Sequence, residues 1–389
     1  MKVSILGHGV VGKGVWEMLQ ANSGYTVRTV LVKKGEKTED FMTESFDVVL
    51  VDDSELVIEC MGGIDPAFEF TSKCLEAGKS LITSNKALVA AHGIDLMNIA
   101  NRKGVSFIFS AACGGAIPIL QNLLRARKTD SIIWAGGILN GTTNFILDSM
   151  DCKGTSFDDA LAEAKRLGYA EANPTADISG MDTMRKVMLI SMVAYDILPN
   201  FDYNIEGIES VSAADFEVAR SLGCTIRLVG KCGLSDSGRL YAYVEPVVCS
   251  MAEAYYSIHS NTNLAQYTGK NAGLMSFMGQ GAGRYPTASA ILRDVTSVAE
   301  GQKQMLSPKC LVGFACNSSK ECEHKYFVRT DAESMKALSS KIETEKVVCE
   351  KDGLVFAITK AVTVKDMHDA AAEVRRKGAN IFFAAAKEA

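Results

Sequence analysis

Val3-Ser4-Ile5-Leu6-Gly7-His8-Gly9-Val10-Val11-Gly12 runs a short, β-branched apolar segment straight into a G-x-G-x-x-G pattern, and the residues after it keep helical spacing. In that setting each glycine has a physical use. Gly7 allows a tight turn after the strand, Gly9 lets backbone approach a pyrophosphate, and Gly12 lets the helix opened by Val10 and Val11 pack closely. The helix N-terminus then offers unpaired N–H groups and the positive end of its dipole to phosphate. Glycine triplets arise by chance in a chain with 33 glycines, so the position between strand and helix carries the reading.

Working outward, short apolar runs at 26–32, 47–51, 56–60, 80–83 and 105–109 predict further strands. Helical spacing fills 66–76 and 87–102, with Gly78 and Gly104 where helix C-terminal glycines belong. This alternation predicts a Rossmann-type, doubly wound parallel sheet over residues 1–130. Residues 131–306 mix strands (132–138, 225–229, 240–244) with helices, one opened by the capping box Ser156-Phe157-Asp158-Asp159, and read as an α+β substrate domain. Its last helix is expected to pack back on the first domain. Residues 307–324, with Pro308, Asn317, Ser318 and Ser319, predict a linker. Beyond it, residues 325–389 go strand (326–329), helix (334–342), strand (346–349), strand (355–359), helix (365–377), strand (381–384), which is a ferredoxin-like order.

The 389 residues suit two or three domains, and 47% apolar content is ample for their cores. The net charge is −5, and no Lys/Arg run alternates with aromatics, which argues against a nucleic-acid partner and for small-molecule ligands. The N-terminus leaves no room for a signal peptide before the first strand, and no apolar stretch reaches the roughly 18 residues of a membrane helix. Eleven cysteines scattered through apolar segments read as reduced thiols in a cytoplasmic protein. Cys310, Cys316 and Cys322 are evenly spaced, yet no C-x-x-C or histidine pair completes a zinc site.

Two lysines, Lys33 and Lys34, follow the second strand, where an acidic residue commonly reads the ribose hydroxyls of NAD. A cation there suits the 2′-phosphate of NADP, although two lysines can equally cap a strand in solvent. Mid-chain, residues 171–186 (EANPTADISGMDTMRK) hold Glu171, Asp177, Asp182 and Lys186, with Asp182 and Lys186 one helical turn apart on one face. Such acids fit a solvated loop. The apolar run Val187-Met188-Leu189-Ile190 argues instead that the helix is buried, and a buried lysine beside an aspartate is a tuned proton donor or acceptor.

Taken with Ser84-Asn85-Lys86-Ala87-Leu88, residues 111–118 (AACGGAIP), residues 137–147 (GILNGTTNFIL) and residues 281–290 (GAGRYPTASA), this segment resembles homoserine dehydrogenase in order and spacing over residues 1–298. The resemblance implies NAD(P)-dependent interconversion of L-homoserine and L-aspartate 4-semialdehyde, on the route to threonine and methionine. It implies that Lys186 gives a proton to the aldehyde oxygen, that Asp182, Glu171 and Asp177 bind substrate, and that Lys86 lies between nicotinamide and substrate. Gly168, Gly281 and Gly283 match cofactor contacts. A homodimer or higher homo-oligomer built through the substrate domain is also implied. We further expect the Asn140-Gly141-Thr142-Thr143 turn to hold the substrate carboxylate with N–H groups or hydroxyls.

The chain departs from the family pattern at several positions. Ser110 replaces a glutamate that is part of a sodium site, leaving main-chain carbonyls at Cys113, Gly115 and Ile117 as candidate sodium ligands. Gln280 stands where proline is common, and Asn173 replaces an aspartate. The C-terminal region resembles an ACT regulatory domain, but Thr330-Asp331-Ala332-Glu333-Ser334 stands where such domains have a glycine turn, so a packing or dimerisation module is equally consistent. Two competing readings remain: another amino-acid dehydrogenase on this scaffold, and a non-catalytic amino-acid sensor.

Overall fold

The structure is a computed structural model that describes residues 1–198, 204–306, 311–312 and 319–386. The described residues divide into two compact units. One draws on Met1–Ile132, Met188–Leu198 and Gly279–Gly313, the other on Ile133–Val187, Pro199–Met278 and Phe314–Ala389.

The first unit is built on a six-stranded, all-parallel sheet in the order Met42–Thr43, Thr26–Leu31, Lys2–Leu6, Leu56–Glu59, Ser80–Thr83, Phe107–Ile108. In chain order that is 3-2-1-4-5-6, the doubly wound arrangement whose crevice opens at the carboxyl ends of the strands flanking the reversal. Val3, Ile5, Leu6, Val57 and Ile58 are fully buried, as a sheet covered on both faces requires. The helix Val10–Gln20 packs against Arg284–Ala299, and a Cβ at Gly14 would lie 2.9 Å from Arg284 Cγ and 3.3 Å from Ala288 Cβ.

One expected strand is a helix. Phe46–Val51 is helical, with Val49 buried, Phe46 stacked on Phe70 at 4.0 Å, and Val48 and Val51 exposed at 45% and 82%. The β-branched run suggested a strand, but the positions it buries fall at helical spacing on one side, and tertiary packing overrides propensity. The sheet edge is supplied instead by Met42–Thr43.

The second unit contains a mixed sheet of eleven strands. Its centre is the antiparallel pair Cys224–Leu234 and Leu240–Ser250, bordered by Ile132–Ile138, Thr262–Gly269 and Gly273–Gln280. On the far side come Phe382–Ala386, Glu323–Asp331, Leu354–Thr359 and Thr344–Lys351, interleaved in sequence with the helices Ala332–Ser339 and Val364–Arg376. Phe382–Ala386 pairs in parallel with Leu240–Ser250, so one sheet runs through both regions. Tyr326, Val328, Met367 and Phe383 share a single apolar cluster with Ile138, Val229 and Cys249.

Most of the expected linker (307–310 and 313–318), including Cys310 and Cys316, lies outside the described residues. Leu311–Val312 pair in parallel with Ile197–Leu198. Among the described residues no cysteine pair forms a disulfide, and no helix is long and apolar enough to cross a membrane.

Candidate active site

The first unit holds a cavity of about 1660 Å³ at the carboxyl ends of the first and fourth strands, lined by Gly7, Gly9, Val10, Lys33, Cys60 and Met61 among others. The glycines behave as their spacing predicts. Gly7 adopts φ +98°, where a Cβ would press on Cys60 O at 3.0 Å. A Cβ at Gly12 would fall 2.0 Å from Gly7 O, whereas one at Gly9 meets nothing within 4 Å. Gly9 is also the N-cap of Val10–Gln20, with no side-chain cap and no acid in the first turn, so the amides at that end are left to a ligand. Two contrasting results are expected. Gly12→Ala should destabilise the turn and abolish cofactor binding together, whereas Gly9→Ala should leave the melting temperature within error and weaken cofactor binding at least about tenfold, because its methyl occupies phosphate space. Thermal melts with cofactor titration check both.

Side chains the sequence reading passed over complete this cavity. Trp16 stacks on Phe41 at 5.0 Å with His8 edge-on, and all three line the cavity with Arg284. His8 Nδ1, Trp16 Nε1 and Arg284 Nε are buried polar atoms without a hydrogen-bond partner among the described residues. Groups left in that state fit a polar ligand that would satisfy them. Burial first, then the charges of Lys13 and Arg284, hold the His8 imidazole below its usual range. Lys33 and Lys34 line the cavity as expected, but Glu36, Glu39 and Glu44 do too. Val11, Gly12, Gly281 and Gly283, expected at the cofactor, are not among the residues that line it. Gly281 meets Gly115 backbone to backbone, where a Cβ on Gly115 would be 2.5 Å from Gly281 C, and Gly283 caps the helix that begins at Arg284.

Glu59 is a further residue that drew no notice in sequence. It ends the fourth strand fully buried, accepts from Thr83 Oγ1 at 2.5 Å and from the Met61 and Gly62 amides, and burial pushes its carboxyl up. It thereby fixes both the cavity wall at Met61 and the approach to Asn85 and Lys86. Lys86 is the half-buried first residue of the helix Lys86–Lys103, which Asn85 caps by accepting from Leu88 N.

The second unit brings together three of the expected polar side chains. Lys186 is buried, and its Nζ donates to Leu139 O at 2.6 Å and pairs with Asp182 Oδ2 at 2.8 Å. Asn140 ties the acids together. Its Nδ2 donates to Asp177 Oδ1 at 2.7 Å and to Asp182 Oδ2 at 2.8 Å, while its Oδ1 caps the helix Gly141–Lys153 at Thr143 N. Two acceptors on the ammonium and an amide across two carboxylates are what allow these charges to be buried. Glu171 is exposed, and Gly168 sits in the same loop region with φ +75°. The turn expected to hold a carboxylate is spent differently: Thr142 Oγ1 donates to Tyr169 O, Thr143 Oγ1 to Asn140 O, and Thr143 N to Asn140 Oδ1.

In the first unit, Ser110 gives its hydroxyl to Asp294, which is fully buried and also accepts from Ala111 N and Gln121 Nε2. Burial raises the Asp294 carboxyl to about 6. The carbonyl of Ile117 accepts from Ile119 N at 2.9 Å, and a side chain on Gly115 is barred by the backbone of Gln280 and Gly281.

The model for the NAD-binding domain of homoserine dehydrogenase matches residues 7–110, and that for homoserine dehydrogenase matches residues 118–296. A homoserine dehydrogenase from Corynebacterium glutamicum is 37% identical over 77% of this chain and 72% of its own length. One from Pseudomonas aeruginosa is 31% identical over 96% of this chain and 94% of its length. The crystal structure of a homoserine dehydrogenase from Thiobacillus denitrificans superposes with a TM-score of 0.88 at 28% identity, covering 100% of this chain and 98% of that one. With its dinucleotide-type first unit and its lysine–carboxylate cluster, the chain belongs to the homoserine dehydrogenase family.

Proposed function

We propose that the enzyme interconverts L-homoserine and L-aspartate 4-semialdehyde with NADP as the preferred cofactor, and that Lys186 is the proton donor and acceptor. The observation that carries this reading is the Lys186–Asp182–Asn140–Asp177 network, in which the first three side chains are buried and Asp177 is half-buried. When bound, the reduced nicotinamide supplies a hydride to the aldehyde carbon. The carbonyl π pair then collapses onto oxygen, and Lys186 gives that oxygen a proton while its charge stabilises the developing alkoxide. Neutral Lys186 regains its proton from solvent. Leu139 O and Asp182 hold the amine in place throughout. Asp177 and Asp182, bridged by Asn140, offer negative charge to the substrate ammonium, with Glu171 supplying a further carboxylate and Lys86 a second cation near the reacting oxygen. Gly7, Gly9, Val10 and Lys33 seat the cofactor, with Gly168, Gly281 and Gly283 shaping its surroundings. No step is routed through sodium: Ser110 is committed to Asp294, which leaves the main-chain carbonyls of Cys113, Gly115 and Ile117 as the candidate ligands. Purified protein given aspartate 4-semialdehyde and NADPH should consume the cofactor's absorbance. No turnover with either nicotinamide cofactor would sink the assignment and favour a sensor.

The preference for NADP rests on Lys33 and Lys34 in the cavity wall. The double replacement Lys33→Ser with Lys34→Ser should raise KM for NADPH about 10- to 100-fold, the loss of one or two charge-assisted bonds to phosphate, with KM for NADH little changed. Wild type that favours NADH would instead assign ribose recognition to the neighbouring glutamates.

Three wider readings accompany this one. Residues 325–389 form an ACT-like module that shares its sheet and apolar cluster with the catalytic region at 131–306, and residues 1–130 form a nucleotide domain. The strands of this module lie in the order fourth, first, third, second, which supports the reading. Asp331 caps Ala332–Ser339 through the Glu333 and Ser334 amides, consuming donors an effector would use, which supports a packing role. A homodimer through the substrate domain suits the edge strand Gly273–Gln280, where Leu274 and Met278 are 56% and 68% exposed. Free thiols suit a cytoplasmic setting.

A further inference from the structure

We propose that Asp148, Cys152 and His259 form a binding site for a zinc-class divalent cation, three protein ligands with the fourth position left to water. Asp148 and Cys152 stand one turn apart on the helix Gly141–Lys153, so their side chains share a face, and His259 reaches them from the segment after the turn at Ala254–Ser257. Asp148 Oδ1 lies 2.8 Å from His259 Nδ1 and 3.6 Å from Cys152 Sγ, and the three candidate ligand atoms all fall within 4.8 Å of one another. Tetrahedral zinc, with bonds of about 2.3 Å to sulfur and about 2.0 Å to nitrogen and oxygen, separates its ligand atoms by about 3.3–3.5 Å. The carboxylate–thiol spacing already matches, and the carboxylate–imidazole spacing need open only by about half an ångström. Thiolate, imidazole and carboxylate together are a donor set suited to zinc and cobalt rather than to calcium or magnesium.

The surroundings are those of a supported site. Asp148 is oriented by Ser260 N, which donates to Oδ2 at 2.8 Å, and by the fully buried Arg227, whose Nη2 is 3.3 Å from Oδ1, the oxygen that also faces Cys152 and His259. Such outer contacts fix a ligating carboxylate in place. Cys152 lies in the last turn of its helix, where the unpaired carbonyls and the negative end of the dipole favour a cation. Cys152 and His259 are exposed, which leaves an entry path. The Arg227 charge beside Oδ1 works against a cation there, so carboxylate and thiolate must together outweigh it, and the next carboxylate along the helix, Asp151, is engaged by Arg220 and Thr225. Burial and the Asp148 charge raise the Cys152 thiol, so binding must release its proton and strengthen with pH. An occupied site would pin His259 to a helix whose N-cap, Asn140, organises the lysine–carboxylate network.

The test is titration of the full chain with cobalt(II), read by thiolate-to-metal charge-transfer absorption, and with zinc chloride, read by calorimetry. Wild type should saturate at one equivalent. Cys152→Ser should lose the band and His259→Ala should weaken binding by more than the about 10- to 100-fold that removal of a supporting residue costs. Both positions are exposed, so the metal-free melting temperature should not move, and that measurement guards against misfolding. A band that survives Cys152→Ser, or neither band nor heat at millimolar metal in wild type, would overturn the site.

Discussion

Replacing Lys186 by alanine is expected to lower turnover of aspartate 4-semialdehyde about 10²- to 10⁴-fold, the range a positioned proton donor contributes, while leaving cofactor affinity within about twofold. The variant keeps the local fold, because Asp182 retains its bond from Asn140 and Asn140 retains its cap on Gly141–Lys153. What it loses is the only group in the network that can both give a proton and carry positive charge once the proton is in place, since Asp177 and Asp182 supply only negative charge and Asn140 cannot titrate. Steady-state kinetics paired with direct NADPH binding separates this from misfolding. Undiminished turnover would remove Lys186 from the reaction.

The largest effect on stability is expected at Arg329. Its Nε meets Asp215 Oδ1 at 2.9 Å and its Nη2 donates to Ser210 O at 2.6 Å, with the two side chains 5% and 0% exposed. Arg329→Met leaves the Asp215 carboxylate buried with only Ser212 to satisfy it, and breaking a buried pair in this way costs about 3–5 kcal/mol. Burial already pushes the Asp215 carboxyl up, against the pull of Arg329 and Ser212. Without Arg329 it rises further. A carboxyl raised above its unfolded value costs nothing while protonated and destabilises as pH climbs through its folded value, so the deficit should be largest at neutral pH and shrink towards pH 4. Denaturant unfolding at both pH values checks this, and the double variant with Asp215→Asn should recover part of the loss. Lys351 and Glu217 also link the terminal region to the helix Ala213–Ser221, but both are about half exposed, so Lys351→Ala should cost far less than Arg329→Met. Equal losses at the two pairs would show that burial is not the deciding factor.

Periodicity made the first sheet legible because a strand buried on both faces is largely apolar, as Val3, Ile5 and Leu6 and Leu56-Val57-Ile58 are. The same rule misread residues 47–51, which belong to a short helix that buries Val49 and leaves Val48 and Val51 exposed. Lys186 and Asp182 could be paired from sequence since a helix places such neighbours together. Asn140 could not be given its part, because it reaches the acids from 37 and 42 residues away. Glu59 was hidden for a related reason: a carboxylate at the end of an apolar run looks like a solvent-facing terminus until the amides of Met61 and Gly62 turn back on it. The aromatic wall of the cavity, Trp16 on Phe41, likewise depends on a loop closing over a helix, and no local pattern records that.

Phe382–Ala386 lies between Leu240–Ser250 and Glu323–Asp331, bonded to one by a parallel ladder and to the other by an antiparallel one. A premature stop just upstream of it would therefore do more than trim a tail: it would unzip the sheet in the middle and bare two raw edges on one molecule. Such a product could template its own kind on either side, so the cell should meet it as an aggregate cleared by proteases, and not as an enzyme that has merely lost its regulation.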